Sequence, residues 1–199
     1  MNATRLERQI AFLTEADKLK TIVRRTPLTD NSRLENSAEH SWHLGLAAIA
    51  LLEYAPAGTD LRRVLELLAV HDLVEIDAGD TFAYDHDPQA HATKANRERA
   101  AAERVFGLLP ADQAARLRAS WEEFEAQETD AARFANALDR LQALLQNAGA
   151  GGGSWSAYRV TRAQVLARMA PVQSAAPGLW PFVLGVIDAF CASGAIAGL

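Results

Sequence analysis

Apolar residues recur along this chain at spacings of three and four, and strict alternation is rare, so the pattern predicts helices and almost no strand. Residues 5–23, RLERQIAFLTEADKLKTIV, carry Leu6, Ile10, Leu13 and Ile22 with Phe12 and Leu19 at helical spacing, an amphipathic helix. RRTPLTDNSRLEN, broken by Pro27, reads as a loop. A second helix is expected from about Ser37 through AEHSWHLGLAAIALLEY to the Pro56-Ala57-Gly58 break. Asp60 suits the N-cap of a third, LRRVLELLAVHDLVEID, which ends before Gly79. Beyond a loop through Pro88, HATKANRERAAAERVFGLL is a helix with one solvated face. Pro110 suits the first turn of the next, and Thr129 caps DAARFANALDRLQALLQNAG. GAGGGS at 149–154 ends that helix, and two more fit 161–170 and 177–193. The expectation is an all-α, compact bundle of about seven or eight helices, a single domain over residues 1–199.

Composition narrows the partners. With 199 residues and 49% hydrophobic content, one sizeable core is affordable. Acidic side chains outnumber basic ones 25 to 20, giving a charge of −5 and an isoelectric point near 5.5, which argues against a nucleic acid polymer as partner. A small anion held by a few local cations is still allowed. The lone Cys191 reads as a small apolar residue. MNATRLERQI lacks the layout of a secretory signal, so a cytoplasmic location is expected. In the most apolar stretch, LWPFVLGVIDAFCASGAIAGL, Pro181, Asp188 and three glycines favour a buried helix over a membrane span.

Against that background HDLVEIDAGDTFAYD, residues 71–85, is out of place. An ionised carboxylate in a core costs several kcal/mol unless something neutralises it. On a continuous third helix Glu75 lies four residues after His71 and three after Asp72, so one turn gathers an imidazole and two carboxylates. A bound cation would reconcile them with their apolar neighbours. The second predicted helix adds His40 and His43, one turn apart, and the sixth adds Asp139 amid Phe134, Leu138, Leu141 and Leu145, with Gln142 a turn later. Each has a plainer explanation. A lone histidine is more often a hydrogen-bonded core residue, Asp139 could share a polar face with Arg140, and Glu75, Asp77, Asp85 and Asp87 could be solvated loop margin. The ordered set H…HD…D, every member on a predicted helix among apolar residues, favours a metal.

Taken together, LKTIVRRTPL, R-x-E-N-S-A-E-H, HDLVE…AGD and ALDRLQ resemble the HD-domain metal-dependent phosphohydrolases, and within them the 5′-deoxyribonucleotidase branch. The resemblance covers roughly residues 10–147, with the helices of 161–193 expected to pack on that core. It implies that His40, His71, Asp72 and Asp139 are the metal ligands. It also implies that Glu75 and Asp80 are the acid/base and substrate-orienting carboxylates, that Arg25 contacts phosphate, and that the protein is a homodimer. His43 falls outside that quartet and is assigned a supporting role.

Two imidazoles and two carboxylates suit one divalent first-row ion, Mn, Fe, Co, Ni or Zn, without choosing among them. Glu75 is placed to take or return a proton, and an arginine at 25 can bind phosphate as a fork, whereas Arg24 and Arg33 read as solvated loop charges. After Gly79-Asp80 the chain reads TFAYDHD, where the family usually has proline and small residues, so Phe82 and Tyr84 would reshape the pocket rim, by packing or by stacking on a base. The leading expectation is hydrolysis of a small phosphoester, foremost a deoxynucleoside 5′-monophosphate. The alternative is a catalytically silent, metal-stabilised nucleotide sensor or interaction module.

Overall fold

The computed structural model describes residues 3–84 and 88–198; Asp85 and Asp87, read above as margin charges, lie outside them. Helix α1 (Arg5–Ala16) runs into a 3-10 turn (Asp17–Thr21), followed by strands β1 (Val23–Pro27) and β2 (Leu34–Asn36), then α2 (Ser37–Ala50), α3 (Leu61–Val70) and a single turn α4 (Glu75–Ala78). The remainder is α5 (Pro88–Phe106), α6 (Ala111–Ala126), α7 (Asp130–Gly149), the short α8 (Gly153–Ala157), α9 (Arg162–Ala175) and α10 (Trp180–Ala192). With α4 and α8 set aside as single turns, eight longer helices remain among the described residues, as the periodicity anticipates. The predicted caps are in place: Asp60 accepts from the Arg62 amide and Thr129 from that of Ala132. At α2 the cap is Asn36, in a reciprocal capping box with Glu39.

Three departures matter for function. First, the segment read as a loop is an antiparallel hairpin, with Val23 opposite Asn36 and Pro27 opposite Leu34. Its connection turns at Asn31, whose φ of 58° is one that asparagine tolerates, while Asp30 Oδ1 accepts from the Ser32 amide. Too short to show a period-two pattern, the hairpin nonetheless sorts its side chains by parity: Arg24 and Thr26 turn inward and Arg25 outward. Second, the third helix is not continuous. His71 caps α3, and 3-10-type bonds (Leu73 N to Val70 O, 3.2 Å; Glu75 N to Asp72 O, 2.9 Å) carry the chain through a tight turn into α4. Third, α1 ends at Ala16 and buries Phe12, while Leu6, Ile10 and Leu13 of its predicted apolar stripe stand exposed.

The core has two lobes. In one, Leu44, Leu67, Phe134, Leu138, Val165 and Ile187 bring together α2, α3, α7, α9 and α10. In the other, Phe12, Val70, Val74, Val105, Phe106 and Trp121 join α1, the α3–α4 turn, α5 and α6. Helix α10 enters the first lobe with Val183 and Ile187 fully buried, while Phe182 points outward. Among the described residues no helix is long and apolar enough to cross a membrane. The longest helix, α7, is buried along much of its length yet carries a polar stripe, Asn136, Asp139, Gln142 and Gln146, spaced three, three and four residues apart. Buried polar groups on such a helix need partners.

Candidate metal centre

His40 supplies the first of those partners. It is completely buried on α2, with Nε2 3.0 Å from Asp139 Oδ1 and Nδ1 3.0 Å from Gln142 Oε1. The amide of Gln142 is oriented by its own donation to Glu35 Oε1 (2.7 Å), so its oxygen faces His40 and must accept from Nδ1–H. In the neutral ring Nε2 then presents a lone pair to the Asp139 carboxylate. His71 repeats the arrangement: Nδ1 donates to the Leu68 carbonyl (2.8 Å), leaving Nε2 as a lone pair 3.1 Å from Asp72 Oδ1. That contact is misaligned for a hydrogen bond, and among the described residues the buried Nε2 has no partner. A lone pair facing a carboxylate is repulsive unless something positive lies between them.

Ligand atoms of His40, His71 and Asp72 lie within 4.8 Å of one another, and His40 Nε2 is 4.0 Å from Asp72 Oδ2 as well as 3.0 Å from Asp139. Three of the four residues expected as ligands are thus gathered from α2 and the α3–α4 turn, and Asp139 of α7 joins them through its contact with His40, all four buried. The orphaned His71 nitrogen and the mixed nitrogen and oxygen donor set fit a divalent first-row cation. With no cation bound, the same carboxylates draw a proton onto His40 instead. Burial and the Arg24 guanidinium press the His40 imidazolium down, but the Asp139 and Glu35 carboxylates outweigh them and lift its pKa to about 9. Burial pushes the Asp139 carboxyl up, yet Arg140, whose Nη1 is 2.6 Å away, and His40 hold it well below the ordinary range.

Glu75 and Asp80 border the same cavity, a polar space of about 90 Å³ next to His71, Asp72 and Asp139. Burial drives Glu75 well above the ordinary carboxylate range, with Asp72 adding to the rise and Arg24 opposing it; the Ser37 hydroxyl donates to Glu75 Oε2 at 2.6 Å. Burial likewise raises Asp80, against the pull of Arg24. The broken helix therefore does not scatter the carboxylates, because Glu75 returns to the site at the first turn of α4.

One of the hairpin arginines departs from expectation. Arg24 is not a solvated loop charge: its side chain is 12% exposed, with Nη1 3.3 Å from Asp72 Oδ2 and 4.0 Å from Asp80 Oδ1, and Nε 3.5 Å from Glu35 Oε2. Arg25, on the outward face, sets its guanidinium carbon 5.6 Å from the Phe82 ring centroid and 5.8 Å from that of Tyr158, beside a second, aromatic-walled cavity. Arg33 is solvated as expected and pairs with Glu39. His43 lies outside the cluster and touches it through Gln142 Nε2, 3.3 Å away. Sequence reasoning missed Glu35, which is 1% exposed and receives Gln142 and Gln146, and also Glu98 and Glu125, which line the polar cavity from α5 and α6. No signal in the sequence marks Glu35, because the three residues of β2 are too few for a two-residue period to show.

Comparison with known proteins agrees with this geometry. The family model described as HD domain matches residues 16–180. The 5′-deoxynucleotidase HDDC2 of Homo sapiens is 29% identical over 69% of this chain, and the match spans 65% of the human protein's length; that of Xenopus laevis is 32% identical over 56% of this chain and 53% of its own. A crystal structure from Magnetospirillum magnetotacticum MS-1, described as a predicted metal-dependent phosphohydrolase, is 49% identical, covers 97% of this chain and 96% of its own, and superposes with a TM-score of 0.92. With a family match that runs from the end of α1 to the start of α10 and takes in every residue of the metal cluster, this chain belongs to the HD domain family.

Proposed function

We propose that this protein is a metal-dependent phosphohydrolase that cleaves a small phosphoester, foremost a deoxynucleoside 5′-monophosphate, to the alcohol and phosphate. The observation that carries the reading is the buried His71 Nε2, without a hydrogen bond, turned toward Asp72 Oδ1 beside the His40 and Asp139 pair. His40, His71, Asp72 and Asp139 would hold the ion. Once bound, a divalent cation supplies Lewis acidity toward a phosphoryl oxygen and makes water a nucleophile near neutral pH. Glu75, raised by burial against the opposing Ser37 hydroxyl, holds a proton at its carboxyl that it can pass to the leaving alkoxide. Arg24 offers a guanidinium to the phosphate at the edge of the cluster, and Asp80, 4.0 Å from it, fixes its direction. The names of the HDDC2 relatives support the nucleotide as substrate, and the aromatic cavity beside Arg25 supports a leaving group with a flat ring.

The chain is read as one HD-type domain and as a homodimer. The dimer would cover apolar side chains left open on two helices, Leu6, Ile10 and Leu13 of α1 and Trp42, Leu46 and Ile49 of α2, and sedimentation would test it. For the activity, chelated protein and protein reloaded with Mn or Co are incubated with a panel of nucleoside monophosphates, and released phosphate is measured. Metal-dependent release supports the enzyme. Tight nucleotide binding with no release from any member replaces it with a sensor that uses the same site.

A further inference from the structure

Arg168 is a cation that the reading above leaves unused. It sits on α9, the helix laid across α7 from outside the segment that carries the sequence motifs, with Val165, Met169 and Val172 as its buried neighbours. Its stem is therefore drawn inward and its guanidinium reaches the site. It borders both the polar cavity of the metal cluster and the aromatic cavity of about 50 Å³ beside Phe82, Tyr84 and Trp155. Arg24, Asp80, Thr81 and Arg168 are the residues the two cavities share, so they form the neck between them.

A partly buried guanidinium is normally matched to a carboxylate. Among the described residues Arg168 donates no hydrogen bond and pairs with no carboxylate. The nearby Asp139 is already engaged by Arg140 at 2.6 Å and His40 at 3.0 Å. Burial, with Arg140 adding, presses the Arg168 pKa down to about 10, so the group stays charged at neutral pH and keeps its need for an anion. Arg24 faces it from the hairpin and is committed to Asp72 through one nitrogen, while its Nε lacks a hydrogen bond.

We propose that Arg168 is a substrate-binding residue that, opposite Arg24, grips the phosphate of the ester at the neck between the two cavities. This rests on the phosphohydrolase reading and makes it more specific. A phosphate held there has its oxygens toward the metal cluster and its organic group toward Phe82, Tyr84 and Trp155. The substrate class that fits is a monoester of an alcohol bearing an aromatic ring, and the C-terminal helices become part of the active site.

The test is binding of inorganic phosphate to the Mn-loaded full chain by calorimetry, alongside steady-state kinetics on a nucleoside monophosphate. Arg168→Met keeps the stem and removes the charge; the dissociation constant for phosphate and KM should both rise by about tenfold or more, as for loss of a hydrogen bond to a charged group, with metal content unchanged. Arg168→Lys keeps the charge but not the fork and should weaken phosphate by roughly threefold to tenfold, so it decides the matter should the Met variant fail to fold. Wild-type phosphate affinity in either folded variant overturns the proposal, as does a loaded wild-type protein that binds no phosphate at millimolar concentration. Arg168-dependent phosphate binding in a protein that hydrolyses nothing removes the enzyme reading and keeps the anchor. Hydrolysis undisturbed by either substitution does the reverse.

Discussion

Nδ1 of His40 stands 3.0 Å from Oε1 of Gln142, and this bond decides which ring nitrogen faces the metal cluster. The amide is held in turn by Glu35, which takes Gln142 at 2.7 Å and Gln146 at 2.6 Å, so a carboxylate on β2 sets the tautomer of a histidine on α2 through a glutamine on α7. Such supporting bonds to metal-ligating histidines typically matter by about 10–100-fold in metal affinity. Gln142→Leu, similar in size but unable to accept, is expected to lose metal affinity by that factor while staying folded. Calorimetric titration with Zn or Mn reads it directly, and wild-type affinity in the variant would remove Gln142 from the site.

Glu75 is expected to act after binding. Glu75→Gln should retain metal at wild-type content and lose about a hundredfold or more in kcat, since the amide can neither take nor return a proton. Ser37→Ala, which deletes the 2.6 Å hydroxyl donor, should cost less and move the alkaline limb of the pH–rate profile upward, because it removes a donor that favours the ionised carboxylate and so raises the pKa of the general acid. An unchanged kcat in Glu75→Gln would assign the proton transfer elsewhere.

The two hairpin arginines give a direct contrast. Arg24 lies among Asp72, Asp80 and Glu35, whereas Arg25 lies against Phe82 and Tyr158. Arg24→Lys should raise KM for a nucleoside monophosphate by about tenfold or more, through loss of a fork that lysine does not reproduce. Arg25→Lys should alter preference among leaving groups more than capture of phosphate itself. If the order were reversed, with phosphate inhibition weakened only at Arg25, the sequence-based assignment of Arg25 as the phosphate contact would stand.

Metal removal should be felt in stability as well as turnover. The cluster assembles from α2, the α3–α4 turn and α7, and four side chains converge only in the folded chain, so a bound ion stabilises it by mass action. Chelation is expected to lower Tm and re-addition of metal to restore it, with the rise following the logarithm of the free-ion concentration once that exceeds the dissociation constant. A Tm independent of metal would mean that nothing is held there.

How much of this was legible beforehand depends on the length scale of the signal. His40, His71, Asp72 and Asp139 stood out as an ordered set, each on a predicted helix among apolar residues, although any one of them alone had a plainer explanation. The hairpin was not legible, because five and three residues are too few for a period of two to show against turn formers, and with it went the assignment of Arg24 and Glu35 to the site. The break after Val70 was hidden for another reason. LAVHDLVEID keeps a helical pattern of apolar residues through the turn, because Leu73 and Val74 remain buried while the backbone tightens to 3-10 bonds. Arg168 was invisible because its neighbours along α9 say core, and only the packing of α9 on α7 carries it to the neck.

The acidic lining of the polar cavity predicts how the metal-free protein responds to pH. Glu98 is 6% exposed; burial pushes its pKa above the ordinary 4.5, and Lys94, 3.4 Å away, opposes this only in part. Burial raises Glu125 in the same way. A carboxyl whose folded-state pKa lies above its unfolded value binds its proton more tightly when folded. Its stabilisation is therefore complete below the unfolded value and is lost as pH rises through the folded one. Glu98→Gln fixes the neutral form. Its Tm in chelator should be near wild type at about pH 4 and should exceed wild type by a growing margin toward about pH 8. Thermal melts of the two metal-free proteins across that range measure the difference, and a margin that stayed constant with pH would show that Glu98 is ionised as easily inside the fold as outside it.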